Sequence, residues 1–229
     1  MRVIERKTFG IDHPPLTNLV KFPLHFLFLP NGDKASNLNW YEPNFKRLYN
    51  CYNYGDEIKN AYKYFKAIHK QILKTNKYKF FQTTFGRYTE ALESNDMQKV
   101  FLSLWALLEK LTFTLKDNYT TTIKRSLVCF EDKFFVKQEL EILRDKRNIA
   151  VHNGEELKEA EKYACSLIKY IRRFFIFIIN IMEKFNNEKD IRDFLDLPTN
   201  SNQLVQYEEN LKKQLELTKQ FKTLKLIIN

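Results

Sequence analysis

From residue 56 onward, apolar side chains recur at every third or fourth position, a spacing that places them on one face of an α-helix. Two short stripes come first, and a longer one begins after Asp96, a residue type that commonly caps helix N-termini. The pattern therefore predicts three successive helices, each with one apolar face. Their apolar positions are Ile58, Tyr62, Phe65, Ile68 and Ile72; Phe81, Phe85, Tyr88 and Leu92; and Val100, Leu104, Leu107, Leu108, Leu111 and Leu115.

The second half of the chain continues this helical pattern. It predicts a short helix over residues 122–130, a helix that ends near Arg147, a long helix over residues 155–185 and a short one over residues 188–195. Residues 203–226 predict an amphipathic tail helix that carries apolar side chains. The expected fold class is therefore all-α. The long helix is expected to bury Ala164, Leu167, Ile168, Ile171, Phe175, Ile178 and Ile179, and the tail helix carries Leu204, Leu211, Leu215 and Phe221.

The N-terminal segment differs from the rest in composition, because most of the prolines and glycines lie in it. Residues 20–28 alternate partly between apolar and polar side chains, as a strand does. Pro23 would confine such a strand to a sheet edge or a bulge, since proline has no N–H to donate. Asn31-Gly32 is typical of a turn.

These changes in composition suggest a domain organisation. Residues 1–55 are expected to form a short extended or β-like extension that packs on the helical body. Residues 56–198 are expected to form the helical domain, and residues 199–229 a C-terminal helix. A polar stretch, Thr199-Asn200-Ser201-Asn202, links the last two and provides a helix cap.

The net charge of +10 and the pI of about 9.3 suit a polyanionic partner such as RNA, or simply a lysine-rich solvated surface. Five of the basic side chains lie in helices where they would either follow an RNA backbone or face solvent. We expect no membrane partner, because the most apolar run, residues 174–182, is too short to span a bilayer. These five basic residues are Lys124, Arg125, Lys169, Arg172 and Arg173.

Several chemistries find no support in the sequence. The three cysteines are too far apart for a metal-ligand motif or a disulfide framework, and the first residues do not resemble a signal peptide. The sequence contains neither a phosphate-cradling glycine loop, nor a nucleophile elbow, nor a zinc-binding helix motif. We therefore expect a cytoplasmic protein that needs no cofactor and no metal ion.

Candidate chemistry is concentrated in Arg147-Asn148-Ile149-Ala150-Val151-His152. Arginine binds phosphate through a planar fork of donors and stays charged at any physiological pH. Histidine accepts or donates a proton near neutral pH. These two side chains suffice to drive the 2′-hydroxyl of RNA onto its own phosphate, so Arg147 and His152 are the candidate catalytic residues.

The spacing of Arg147 and His152 restricts how the two side chains can meet. In a continuous α-helix, residues five apart point about 140° away from each other. Arg147 and His152 can therefore converge only if the helix ends between them or if pairs from two chains meet. Asn153 with Glu156 resembles an N-cap signature for the next helix, whereas Gly154 would equally suit the position just after a preceding helix.

Two segments resemble the Apea-like HEPN domain family. Residues 101–111, with an aromatic and leucine-rich run that ends in Ala106-Leu107-Leu108-Glu109, resemble one helix of that family. Residues 143–154 resemble its Arg-polar-x-x-x-His motif, with Asn148 as the polar residue. The resemblance covers residues 56–185, and it leaves out the N-terminal extension and the C-terminal helix.

The resemblance implies an up-and-down helical bundle that pairs with a second copy, and metal-independent endoribonuclease activity in toxin or anti-phage abortive-infection systems. It implies that Arg147 and His152 are catalytic, across a homodimeric cleft, on RNA that includes tRNA as a possible substrate. Asn148, Asn153 and Glu109 are supporting residues: Asn148 orients the histidine or a phosphate, Asn153 caps the next helix and Glu109 orients Arg147. A neutralising or sensor protein is a further possible partner.

Simpler interpretations stand beside these. Arg147 would pair with a carboxylate at a helix end, His152 would be a polar helix-end residue and Glu109 a solvated helix residue. The whole protein would then be a non-catalytic HEPN module that binds a partner in a defence complex. A helical adaptor that acts through its tail helix, and a membrane-surface protein, are further alternatives.

Overall fold

The computed structural model of the chain describes residues 24–41, 57–75, 77–115, 118–154 and 156–228. The described part is mostly helical, which confirms the all-α class. Its elements are the strands β1 (Leu24–Phe28) and β2 (Lys34–Tyr41) and the helices α1 (Ile58–Lys74), α2 (Tyr78–Leu92), α3 (Met97–Leu111), α4 (Tyr119–Ser126), α5 (Lys133–Asn148), α6 (Ala160–Met182), α7 (Glu188–Leu195) and α8 (Ser201–Ile228).

The two strands form an antiparallel hairpin in which Leu24 lies opposite Tyr41. Its turn has Gly32 at a φ of 90°, a conformation that glycine adopts without steric cost. The backbone N–H of Leu29 donates to the carbonyl of Asp33 at 2.7 Å and closes the turn. The turn at Asn31-Gly32 is thus confirmed, and the strand predicted over residues 20–28 is confirmed for residues 24–28. Residues 20–23, which include Pro23, lie outside the described residues.

The core is built around α3, which packs on α6 and α2. Every apolar position predicted for α6 is buried, because the stripe faces the leucine-rich side of α3. The stripe of α3 is buried too, except for Leu115, which is 61% exposed. The prediction for Leu115 was wrong because α3 ends at Leu111, where the chain enters a turn with Phe113 at a φ of 57°.

Helix starts follow the capping residues. Asp96 accepts a hydrogen bond from the backbone N–H of Lys99 at 2.9 Å, so the predicted cap of α3 is confirmed. Asn118 accepts from the N–H of Thr121 at 3.0 Å, and α4 therefore begins earlier than the apolar pattern indicated. Asp132 caps α5 in the same way, at 3.0 Å from the N–H of Phe135.

The stripe of α1 is mostly uncovered. Ile72 is buried, but Ile58, Tyr62 and Phe65 are exposed, the last of them by 62%. The predicted helix is confirmed, and it packs on α2 and α6. The buried position among the predicted ones, Ile72, lies near its C-terminal end.

The chain divides into two compact units, residues 1–186 and residues 187–229. The second unit consists of α7, capped by Asn187, and the 28-residue α8. The predicted tail helix is confirmed, but its amphipathic character is not. Leu204, Leu211 and Leu215 share one side of α8, whereas Leu217 and Phe221 fall on another, at 100° per residue.

None of the helices within the described ranges combines the length and the apolar character that crossing a bilayer requires.

Candidate functional site at the end of helix α5

Helix α5 ends at Asn148, between the two candidate catalytic residues, and one π-helical turn (Ile149–Asn153) follows it. The α-helix thus ends between Arg147 and His152, as predicted, but the chain stays helical through the π-turn and leaves it only at Gly154. A π-turn bonds residue i to residue i+5, so it advances by fewer degrees per residue than an α-helix. Five residues of a straight α-helix overshoot one full turn by about 140°. With the π-turn they overshoot it by less, so the angle between Arg147 and His152 is smaller than about 140°. Such turns occur frequently at functional sites.

Gly154 ends the π-turn with a φ of 67°, which is the left-handed conformation that favours glycine. The next helix begins only at Ala160, after a segment in which the backbone N–H of Leu157 donates to Oε1 of Gln98 at 2.8 Å. The prediction that Asn153 caps this helix was therefore wrong. The competing interpretation, Gly154 as the residue that follows a helix end, is the one that the structure has.

Arg147 is half-buried at the last turn of α5. Its Nη1 donates to Oδ1 of the neighbouring Asn148 at 3.3 Å, and its Cζ lies 4.7 Å from the centroid of the Tyr119 ring. Among the residues that the structure describes, Arg147 makes no direct ion pair with a carboxylate. Its contacts with Asn148 and Tyr119 are with neutral side chains, so no direct ion pair with a described residue occupies its donors.

Glu109 carries an opposing charge that interacts with Arg147. This carboxylate is half-buried on α3, and its Oε1 accepts a hydrogen bond from the indole Nε1 of Trp105 at 2.7 Å. Burial raises the pKa of Glu109 above its ordinary value, against the lowering effects of that hydrogen bond and of the positive charge of Arg147. Glu109 therefore faces Arg147 electrostatically, without a direct ion pair between them.

Aromatic rings join these groups. Trp105 is 1% exposed, and its ring meets the ring of Tyr119 edge-on, with 6.2 Å between the centroids. Tyr119 thus lies between a core tryptophan and the guanidinium of Arg147. No sequence pattern indicated this role for Tyr119, because it is the first residue of α4 and has no spacing relation to the motif on α5.

The turn between α3 and α4, which places Tyr119 beside α5, is held by buried polar groups. Arg125 is only 5% exposed, and its Nη1 donates to the carbonyls of Thr112 and Phe113 at 3.0 and 3.1 Å. The hydroxyl of Thr114 lies 2.9 Å from that of Thr112 and 2.7 Å from that of Thr122. Arg125 is therefore a structural residue, and the prediction that it faces RNA or solvent was wrong.

His152 is exposed, and so are the other four basic residues that the sequence singled out: Lys124, Lys169, Arg172 and Arg173. Lys146, next to Arg147, lies with its ammonium 5.9 Å from the centroid of the Tyr163 ring. In the part of the chain that the structure describes, no three His, Cys, Asp or Glu side chains come together as candidate metal ligands.

No protein-family model matches the chain, and neither the curated proteins nor the solved structures include a match.

Proposed function

We propose that the protein is a HEPN-type, metal-independent endoribonuclease. The observation that carries this proposal is the setting of Arg147. A half-buried guanidinium rests on an aromatic ring, makes no direct ion pair among the described residues, and lies one π-turn from an exposed histidine. A purely structural arginine at a helix end would be expected to pair with a carboxylate, whereas a phosphate-binding arginine needs its charge unneutralised.

His152 would act as the general base. It removes the proton from a ribose 2′-hydroxyl, and the resulting oxygen attacks the adjacent phosphorus. The bond from phosphorus to the 5′-oxygen of the next nucleotide breaks, and that oxygen takes up a proton. The products are a 2′,3′-cyclic phosphate and a 5′-hydroxyl. DNA would resist, because it has no 2′-hydroxyl.

Arg147 would bind the scissile phosphate and stabilise the charge that develops on its oxygens in the transition state. Asn148 supports this role, because its side chain accepts a hydrogen bond from the guanidinium. Glu109 supports it too, as a half-buried carboxylate whose charge attracts Arg147 from the α3 side.

A homodimer would complete the site. Phe135 and Ile142 are 58% and 54% exposed, and at seven residues apart they lie on nearly the same side of α5. The stripe continues to the half-buried Ile149 in the π-turn. This stripe is a candidate surface for a second copy. Arg147 lies about 140° around α5 from Ile142, so the stripe is on another side of the helix from the guanidinium. By resemblance to the HEPN family, the expected setting is anti-phage abortive infection or a toxin system, with a neutralising or sensor protein as a further partner.

The test is cleavage of total RNA and of purified tRNA by the protein in the presence of EDTA. The wild type is expected to give discrete fragments with cyclic-phosphate ends, and both Arg147→Ala and His152→Ala are expected to abolish them. Arg144→Ala and His69→Ala are matched controls, since Arg144 lies on the same helix and pairs with Asp145, and His69 stacks on Phe65 in α1. Cleavage that persists in both motif variants would refute the assignment.

A second candidate function is a non-catalytic binding or adaptor module. The observation that favours it is α8, whose apolar side chains are exposed along the helix, Phe221 by 65% and Leu215 by 57%. An adaptor would lose partner binding when residues 199–229 are removed and would be indifferent to His152→Ala. An endoribonuclease would instead lose RNA cleavage in His152→Ala.

A further inference from the structure

The guanidinium carbon Cζ of Arg147 lies over the ring of Tyr119. The distance of 4.7 Å from Cζ to the ring centroid is well within the range of about 6 Å for a cation–π contact. Tyr119 is itself fixed at the start of α4, because Asn118 caps that helix through the N–H and the hydroxyl of Thr121. The ring is therefore held by a helix that carries neither Arg147 nor His152.

The Tyr119 ring is also in contact with the core. Trp105, which is almost completely buried, forms a T-shaped pair with it, and the same indole donates to Glu109. An edge-to-face pair has a preferred geometry, so a buried tryptophan restricts the tilt of the ring that it contacts. The core of α3 thus helps to fix the Tyr119 ring on which Arg147 rests.

Contact with an aromatic ring differs from pairing with a carboxylate in the charge that it leaves on the arginine. The ring attracts the cation through its quadrupole and carries no net charge of its own. A phosphate is bound by the N–H groups of a guanidinium, in a bidentate fork. A guanidinium that rests on a ring consequently keeps its positive charge for such an anion.

We propose that Tyr119 is a positioning residue, whose ring holds the guanidinium of Arg147 in place to bind the scissile phosphate. This inference rests on the proposed endoribonuclease function. It assigns to Tyr119 an effect through Arg147, with no contact to the reacting atoms.

The test compares Tyr119→Leu, which removes the ring, with Tyr119→Phe, which keeps the ring and removes only the hydroxyl. We expect kcat for RNA cleavage to fall about tenfold in Tyr119→Leu, with KM within about twofold, and to be recovered in Tyr119→Phe. Tyr163→Leu is the matched control, because it removes a tyrosine ring from beneath the neighbouring cation, Lys146. It should leave kcat within about twofold.

A second readout does not depend on activity. The side-chain Nε–H and δ-CH₂ resonances of Arg147 should be shifted upfield by the ring current in the wild type and in Tyr119→Phe, and should lose that shift in Tyr119→Leu. If the wild type cuts no RNA, the proposed function fails and these resonances still decide whether Tyr119 holds Arg147. Unchanged Arg147 resonances in folded Tyr119→Leu overturn the inference, as does wild-type kcat in that variant.

Discussion

Arg125 offers the sharpest test of how the candidate site is supported. Its side chain is almost completely buried, and it donates to the two carbonyls, those of Thr112 and Phe113, at which the chain leaves α3. Replacement by Met keeps much of the length and the apolar stem of the side chain. It removes the charge and the hydrogen bonds to Thr112 and Phe113, so these two carbonyls lose a donor in a largely buried setting.

The size of the effect follows from those bonds. A hydrogen bond from a charged donor contributes about 1.5–3 kcal/mol, and both bonds here come from the same nitrogen, which favours the lower end for each. The free energy of unfolding should therefore fall by about 3 kcal/mol in Arg125→Met. For a chain of this size that corresponds to a decrease in Tm of about 6–12 °C.

Urea unfolding followed by far-UV circular dichroism measures this change. Arg173→Met is the matched control, because Arg173 is exposed and its Nε donates to the carbonyl of Cys129 at a longer distance, 3.4 Å. It makes the same chemical change and should cost within about 0.5 kcal/mol. Equal losses in the two variants would refute the argument that Arg125 holds the turn through buried hydrogen bonds.

Three further predictions concern substitutions or reactions at single residues. Trp105→Phe removes the indole donor to Glu109, so the already raised pKa of Glu109 should rise further in a carboxyl NMR titration. The folded state of the variant would bind this proton more tightly than the unfolded state does. Its free energy of unfolding should therefore fall more steeply as pH rises from the unfolded-state pKa of Glu109 to the folded-state pKa. Gly154→Ala meets open space at a φ of 67°, so backbone strain alone should lower the unfolding free energy by about 1 kcal/mol, and Gly154→Asn by less. Burial raises the pKa of Cys129 to about 12, so mass spectrometry should show slow alkylation of this thiol near neutral pH until urea is added.

The buried faces of the helices were predictable where the apolar stripe of one helix packs on the stripe of another. The faces of α3 and α6 were predicted well because each contains an unbroken run of apolar positions at helical spacing, and the two runs pack on each other. The stripe of α1 has the same spacing but is buried only at Ile72. Periodicity specifies which face of a helix is apolar, and it carries no information about whether a partner covers that face.

Helix ends depended on competing local signals. Asn153 and Gly154 offered two boundaries within two residues, and the structure has the one in which Gly154 is left-handed. This choice leaves Leu157 outside the helix, where its N–H is satisfied by Gln98 of α3. That partner is distant in sequence, so the late start of α6 at Ala160 is a tertiary effect that local capping rules do not contain.

Of the candidate site, only the residues with phosphate-binding or proton-transfer chemistry could be selected from the sequence. Arg147, Asn148 and His152 could be singled out because their side-chain chemistry fits phosphate binding and proton transfer at one place in the chain. Tyr119 has no such signal, since an aromatic residue at the start of a helix is ordinary in sequence and acquires its role only by lying against Arg147.

The structure couples the core to the site through α3. Trp105 is a core residue, the donor to Glu109 and the support for Tyr119, so a change there alters packing, charge and orientation at once. Loss of activity in a Trp105 variant would therefore not separate catalysis from folding. His152 is exposed, and its replacement removes a proton carrier without opening a cavity. An activity that requires His152 while stability is unchanged is consequently the result that separates an enzyme from a helical binding module.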